Sequence, residues 1–209
     1  MTGEIFVKWT VRPASPPRPL RHCSGCGATR TFYSSGRVRL NANSRRLDAW
    51  LIYKCSVCDR TWNRPLLDRA PLGTIAPADL TAMEQSDTRW VAAHEFDLTG
   101  LKKLCTAVEM SEDVVIGRPR RPEGLMVSAV DLALVCDVKV SLRLDRFLAQ
   151  AFSLSRSKIQ ALWRHSAIST AQPAKNALSK PVSSVGAVRL DLACMSESDQ
   201  RAIISALFE

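Results

Sequence analysis

No apolar run in this chain of 209 residues is long enough to span a bilayer, so a helical membrane anchor is not expected. The first residues lack a basic stretch followed by an apolar core; no secretory signal is read, and a cytoplasmic location is expected. There is no Gly-rich phosphate loop and no nucleophile elbow, two common carriers of catalysis. Histidine is scarce, at three residues. His22 adjoins Cys23, His94 sits beside Glu95 and Asp97, and His165 ends a helical pattern. None has a convincing catalytic set around it, and no enzyme is expected. No internal repeat is visible beyond a pair of Cys-x-x-Cys turns. Negative charge is also short. Twenty Asp and Glu face 29 Lys and Arg, a net charge of +9. Residues 1–69 hold thirteen cations against four anions, 70–140 seven against eleven, and 141–209 nine against five. Basic ends thus flank an acidic middle. Such ends attract nucleic acid, acidic proteins or anionic membranes, and charge does not choose among them.

What the chain does have is cysteine in an ordered spacing. Cys23 and Cys26 form one Cys-x-x-Cys turn, Cys55 and Cys58 a second, and 28 residues separate them. Each turn aims two sulfurs at one point, and two turns complete a tetrahedral site. Gly27 suits a tight knuckle after the first pair; Asp59 follows the second. Two disulfides or a redox dithiol are the alternatives, and disulfides need an oxidising compartment. With four Cys ligands no coordination position is left for water, so the expected cofactor is a structural Zn2+. Between the pairs, Arg37 to Leu40 alternates cation and apolar residue, and Trp50 to Tyr53 is a dense run of strand formers. Asn41 to Ser44 supplies a turn between them. These features make a zinc ribbon. Cys105, Cys136 and Cys194 fall on apolar patterns and are expected to be buried, inert thiols.

Pro13, Pro16, Pro17 and Pro19 make a stiff lead-in, preceded by a strand-like Ile5 to Val11 that can pack back through Trp9. Pro71 to Pro77 reads as a connector, and Thr81 with Glu84 as a capping box for a helix running on through His94. A second helix is expected to carry Leu101, Leu104, Cys105 and Val108 on one face. Gly117 to Gly124 reads as an exposed loop, 130–140 as a strand, and Ser196 or Ser198 as the cap of a final helix.

Residues 143–168 predict two short helices. Leu144, Phe147, Leu148, Ala151 and Phe152 form the buried stripe of the first. Ser153 or Ser155 caps the second, whose apolar positions are Ile159, Leu162 and Trp163. Arg156 and Lys158 then stand in a first turn, where the helix dipole disfavours cations by a few tenths of a kcal/mol, roughly. A docked anion would reverse that sign.

The Arg143-Leu144-Asp145 opening, followed eleven residues later by Ser155 and Arg156, resembles the αL-type RNA-binding domain of ribosomal small-subunit protein four. Its relatives occur in pseudouridine synthases, tyrosyl-tRNA synthetases and a heat-shock ribosome-binding protein. The resemblance is looser through Lys180-Pro181 and Gly186 to Leu190, which look like the last turn and strand. It implies that Arg143, Arg146, Arg156, Lys158 and Arg164 face RNA and that Asp145 braces the motif. The family usually has Gly near Ser166 and Val-Asn-Gly after Ile168; here the chain runs Ser169, Thr170, Ala171, Gln172, Pro173. A second resemblance rests on Trp9 to Pro13, the Cys pairs, Leu40 to Asn43, and Leu47 to Tyr53. These are similar to an uncharacterised bacterial family of unknown function.

The expected architecture is α+β in three parts. An antiparallel zinc ribbon with its N-terminal strand occupies 1–70, a helical connector and strand 71–140, and an αL-type domain 141–209. The expected function is non-catalytic binding of structured ribosomal or transfer RNA, with possible ribosome association. Arg37, Arg39, Arg45 and Arg46 would extend the basic surface. Two other readings are a protein-interaction or DNA-associated regulatory module, and an enzyme with an unrecognised site around His94, Glu95 and Asp97.

Overall fold

The computed structural model describes residues 3–124, 127–170 and 176–209. In chain order the strands and helices are β1 (Gly3–Pro13), β2 (Arg18–Cys23), β3 (Ala28–Asn43), β4 (Arg46–Cys55), β5 (Thr61–Pro71), α1 (Pro77–Gln85), α2 (Thr88–Glu95), α3 (Leu98–Leu104), β6 (Ala107–Glu109), β7 (Val114–Gly117), β8 (Val127–Val135), α4 (Leu144–Ala151), α5 (Arg156–Arg164), β9 (Ile168–Ser169), β10 (Ala187–Asp191) and α6 (Glu197–Leu207). They form a mixed α+β protein with two five-stranded sheets. The chain divides into two compact units, Ser15–Ser111 and Met1–Ala14 with Glu112–Glu209.

The first, the cysteine unit, is an antiparallel sheet in the order β5-β4-β3-β2-β6. β4 alternates strictly. Leu47, Ala49, Leu51, Tyr53 and Cys55 are buried, while Asp48, Trp50, Ile52 and Lys54 stay partly open on the other face. Met83 of α1, Val91 of α2 and Leu101 of α3 are buried in the unit's two cores. Arg64 is 2% exposed and joins β5 to the helices. Its guanidinium donates to the His94 carbonyl at 2.7 Å and to Asp97 Oδ2 at 2.9 Å. The cation thus meets the C-terminal end of α2, where the dipole favours it.

The terminal unit is built on a sheet ordered β7-β1-β8-β10-β9, in which β1 and β8 run parallel. Val7, Trp9 and Val11 of β1 alternate inward, as do Val130, Leu132 and Leu134 of β8. They share one core with Phe147, Leu148 and Phe152, with Ile159 and Leu162, and with Ile203 and Leu207. Trp9 is fully buried. Its indole N–H donates to the Leu207 carbonyl at 3.0 Å, and its ring meets Phe147 edge-on at 6.1 Å. A buried indole keeps its one donor satisfied this way.

These units cut the chain differently from the three segments read in the sequence. β1 lies in the terminal unit's sheet, not in the sheet that carries the cysteine pairs. Periodicity identifies a strand and its buried face; it carries no information on which strand will pair with it. Other local expectations also change. Thr81 lies inside α1 and donates to the Pro77 carbonyl, so it caps nothing; Pro77 opens the helix instead. α3 ends at Leu104, and Val108 belongs to β6. β3 runs through Asn43, and the turn falls at Ser44 and Arg45. β8 stops at Val135, before Cys136 and Val140. Ser155 and Ser196 are the two serine caps, accepting from the amides of Lys158 and Asp199. The departure at 171–173 lies outside the described residues.

Candidate metal centre and basic helix face

The β2–β3 turn and the end of β4 bring Cys23, Cys26, Cys55 and Cys58 together, all four Sγ atoms within 4.8 Å of one another. Cys23 and Cys58 sulfurs are 3.5 Å apart, and those of Cys26 and Cys55 3.9 Å. A tetrahedral ion with metal–sulfur bonds of about 2.3 Å sets sulfurs roughly 3.8 Å apart. The four residues therefore fit a metal ion. Each turn is closed the same way. Gly27 N–H donates to the Cys23 carbonyl at 2.9 Å, and Asp59 N–H to the Cys55 carbonyl at 3.1 Å. Both closing residues have positive φ, 64° at Gly27 and 55° at Asp59. Asp tolerates that conformation better than most residues, so the second turn works without glycine. A Cβ at Gly25 would stand 3.0 Å from Arg60 Nε and 3.1 Å from the Cys58 sulfur, so a side chain there would press on the sulfur cluster.

As free thiols Cys23 and Cys58 do not ionise alike. Burial opposes ionisation of Cys23, yet it ionises near about 6, because the Cys26 and Gly25 amides and the Cys58 and Cys55 thiols donate to it. Cys58 is pushed up to about 12; the Arg60 amide works to lower it, and hydrogen bonding with Cys26, Cys23 and Cys55 outweighs that. A divalent cation would relieve this competition by favouring thiolate at every position. The other cysteines depart from expectation. Cys105 and Cys136 are only partly buried, and Cys194 is exposed in a 3-10 turn.

At the second basic cluster, Asp145 is the centre. It is 1% exposed, and both Arg143 and Arg156 bind its Oδ2, at 3.2 and 2.7 Å. The Arg146 amide donates to Oδ1 at 2.8 Å. Burial would raise this carboxyl; the Arg156 hydrogen bond, the Arg143 charge and the Arg146 amide more than offset it and hold it below the usual range. The brace read at Asp145 is thus present as a pair of guanidinium contacts. The five expected RNA-facing residues do not form one free row. Arg146 pairs with Glu112 at 2.8 Å, and Lys158 with Asp199 at 2.8 Å, where the Asp199 side chain is 6% exposed. Among the described residues Arg164 bonds the Gln160 carbonyl of its own helix.

This corrects the dipole argument. The first turn of α5 carries Arg156 and Lys158, and the chain itself supplies the anions, Asp145 from α4 and Asp199 from α6. Asp145 was legible from its place in the motif. Asp199 was not, because a polar residue in a capped first turn looks like ordinary dipole complement.

In the acidic middle, Asp97 caps α3 through the Gly100 amide and holds Arg64. His94 stacks on Trp90 at 3.8 Å, and its Nδ1 lies 2.8 Å from the Trp90 carbonyl. His94 and Trp90 also line an open hollow of about 310 Å³ with Asp79, Leu66, Leu67 and Met83.

Residues 40–174 match a family described as a protein of unknown function (DUF1062), and the chain belongs to that family. The match includes Cys55, Cys58 and helices α4 and α5, and begins after Cys23 and Cys26. No curated protein and no solved structure matches the chain. Among the described residues, no helix is long and apolar enough to cross a membrane.

Proposed function

We propose that this is a non-catalytic, cytoplasmic zinc protein that binds structured RNA, ribosomal or transfer RNA being the expected class. Zinc is the metal that four thiolates in a tetrahedral, closed set suit best, and such a site organises the fold instead of activating water. The RNA reading rests on one observation. Arg143 and Arg156 share a single buried carboxylate while their side chains remain 51% and 52% exposed. Two guanidinium groups against one carboxylate leave one positive charge uncompensated. Their outward N–H groups can take a phosphate in the forked geometry that guanidinium favours. Arg164, without an ion pair among the described residues, would add a second phosphate contact. The likeness of 143–168 to αL-type domains supports RNA over other polyanions.

The test must leave each buried carboxylate a cation. Arg156→Ala and Lys158→Ala would each strip a cation from a buried carboxylate, so lost binding could reflect lost stability. Arg143→Ala with Arg164→Ala leaves Arg156 on Asp145. That double variant should keep its melting temperature within a few degrees, weaken binding to a labelled RNA hairpin, and reduce the dependence on log salt by about one to two contacts. Undiminished hairpin binding removes the α4–α5 face from the function.

A further inference from the structure

The cysteine unit carries a second surface that the α4–α5 site does not use, the sheet face opposite its helices. On β4 this face shows Trp50, Ile52 and Lys54, one every second residue. Register places Arg39 of β3 and Pro65 of β5 directly beside Trp50, and Tyr33 and Thr61 directly beside Lys54. Trp50 and Ile52 belong to none of the protein's three buried cores or their packed margins. Tyr33 is 38% exposed, and its hydroxyl donates to Asp59 at 2.7 Å, which ties the ring to the second cysteine turn. Trp50 and Lys54 are four residues apart, so Trp50 and Tyr33 stand about 13 Å apart along the strand direction.

The charge on this face is mostly positive. Arg39 and Lys54 have no ion pair among the described residues, and Arg37 stands exposed at the bulge between Ser34 and Val38. Its one carboxylate among β4 residues, Asp48, is taken by the Arg69 amide at 2.7 Å. Trp50, partly exposed, and Tyr33, exposed, are interleaved here with cations that have no ion pair among the described residues. The combination suits a polyanion that also offers flat apolar surfaces. A nucleic-acid strand with its bases free is that ligand: phosphates meet the cations and bases stack on the rings. An acidic protein would satisfy the cations and leave the rings unexplained.

We propose that the Tyr33–Trp50 face of the cysteine unit binds a single-stranded stretch of nucleic acid, with unpaired bases stacked on Trp50 and Tyr33 and phosphates held by Arg39 and Lys54. It rests on the nucleic-acid reading for the class of partner, and on different residues for the site. It gives the two units separate tasks: duplex phosphates at Arg143 and Arg164, unpaired bases at Trp50.

The full-length, zinc-loaded protein is titrated with a labelled oligouridylate and, separately, with a blunt RNA duplex of the same length, over a salt series. Trp50→Ala should weaken oligouridylate binding roughly five- to a hundredfold and leave duplex binding within about twofold. Trp50→Phe, which keeps a stacking ring, should recover most of the loss. Arg39→Gln with Lys54→Gln should flatten the single-strand salt slope by about 1.4, two contacts at roughly 0.7 each. Arg143→Ala with Arg164→Ala should not change oligouridylate binding; its effect belongs to the duplex. Should Trp50→Ala lose its zinc or its fold, Trp50→Phe and the Arg39/Lys54 variant decide. Oligouridylate binding that is absent, indifferent to Trp50, or weakened by Trp50→Ala no more than duplex binding overturns the proposal. Those results leave the α4–α5 reading standing, just as a duplex signal indifferent to Arg143 and Arg164 would leave this one.

Discussion

The two units of this protein solve the same problem with different means. Among the described residues, the terminal unit holds one continuous core of 25 buried apolar residues, anchored by Trp9, Phe147 and Phe152. The cysteine unit has two small cores, of seven and three residues, and two of the seven are the sulfur donors Cys23 and Cys55. It also buries Arg64, whose Nε, like the Tyr53 hydroxyl, has no hydrogen bond of ordinary geometry among the described residues. Burial pushes the Tyr53 phenol up, with Arg64 opposing. One unit is thus held by apolar area, whereas the other needs a cross-link between its strands. A metal held by the four cysteines would supply it, with binding energy that is also folding energy.

The comparison breaks most visibly on metal removal. Chelation, or Cys55→Ser, should collapse hydrogen-exchange protection across β2 to β5 while β1, β8 and β10 stay protected. Structural zinc sites in small peptides are worth roughly 10–16 kcal/mol, far above what two small cores replace. Uniform loss of protection in both sheets would show that the units are not energetically separate. The converse variant, Trp9→Ala, should cost about 3–5 kcal/mol in the terminal unit, from the emptied volume and the orphaned Leu207 carbonyl. Zinc content should be unchanged, which metal analysis beside a urea melt would show.

A smaller effect sharpens the electrostatic side. Asp145 and Asp199 both have carboxyls held below the usual range. At Asp199 burial again opposes, and Lys158 and Ser196 prevail. Groups lowered on folding stabilise above their unfolded value, near about 4, and that stability is lost as pH falls through the lower folded value. The terminal unit should therefore weaken below about pH 4. Asp145→Asn should cost about 1–3 kcal/mol at neutral pH, toward the low end because its arginines are half-exposed, and should show a shallower acid loss. A melt series from pH 2 to 7 that gives parallel curves for the two proteins would remove Asp145 from the acid response.

Local chemistry was readable without a structure wherever one residue type does one thing. Two Cys-x-x-Cys pairs announced a shared centre, a dense run of strand formers gave β4, and Ser155 and Ser196 stood where helix caps belong. The stripe from Leu144 to Phe152 gave α4 with its core side. These are short-range matters, fixed by backbone geometry over a few residues. What needed the folded chain was every choice among distant partners. β1 left the cysteine pairs for β8, because a strand with one apolar face pairs wherever a complementary face is buried. The cations of α5 found their anions on α4 and α6 instead of waiting for a ligand. Trp50 and Arg39 became neighbours only once β3 and β4 took their register across a bulge. Spacing along the chain fixes what each segment can offer, and only packing decides which offer is taken up.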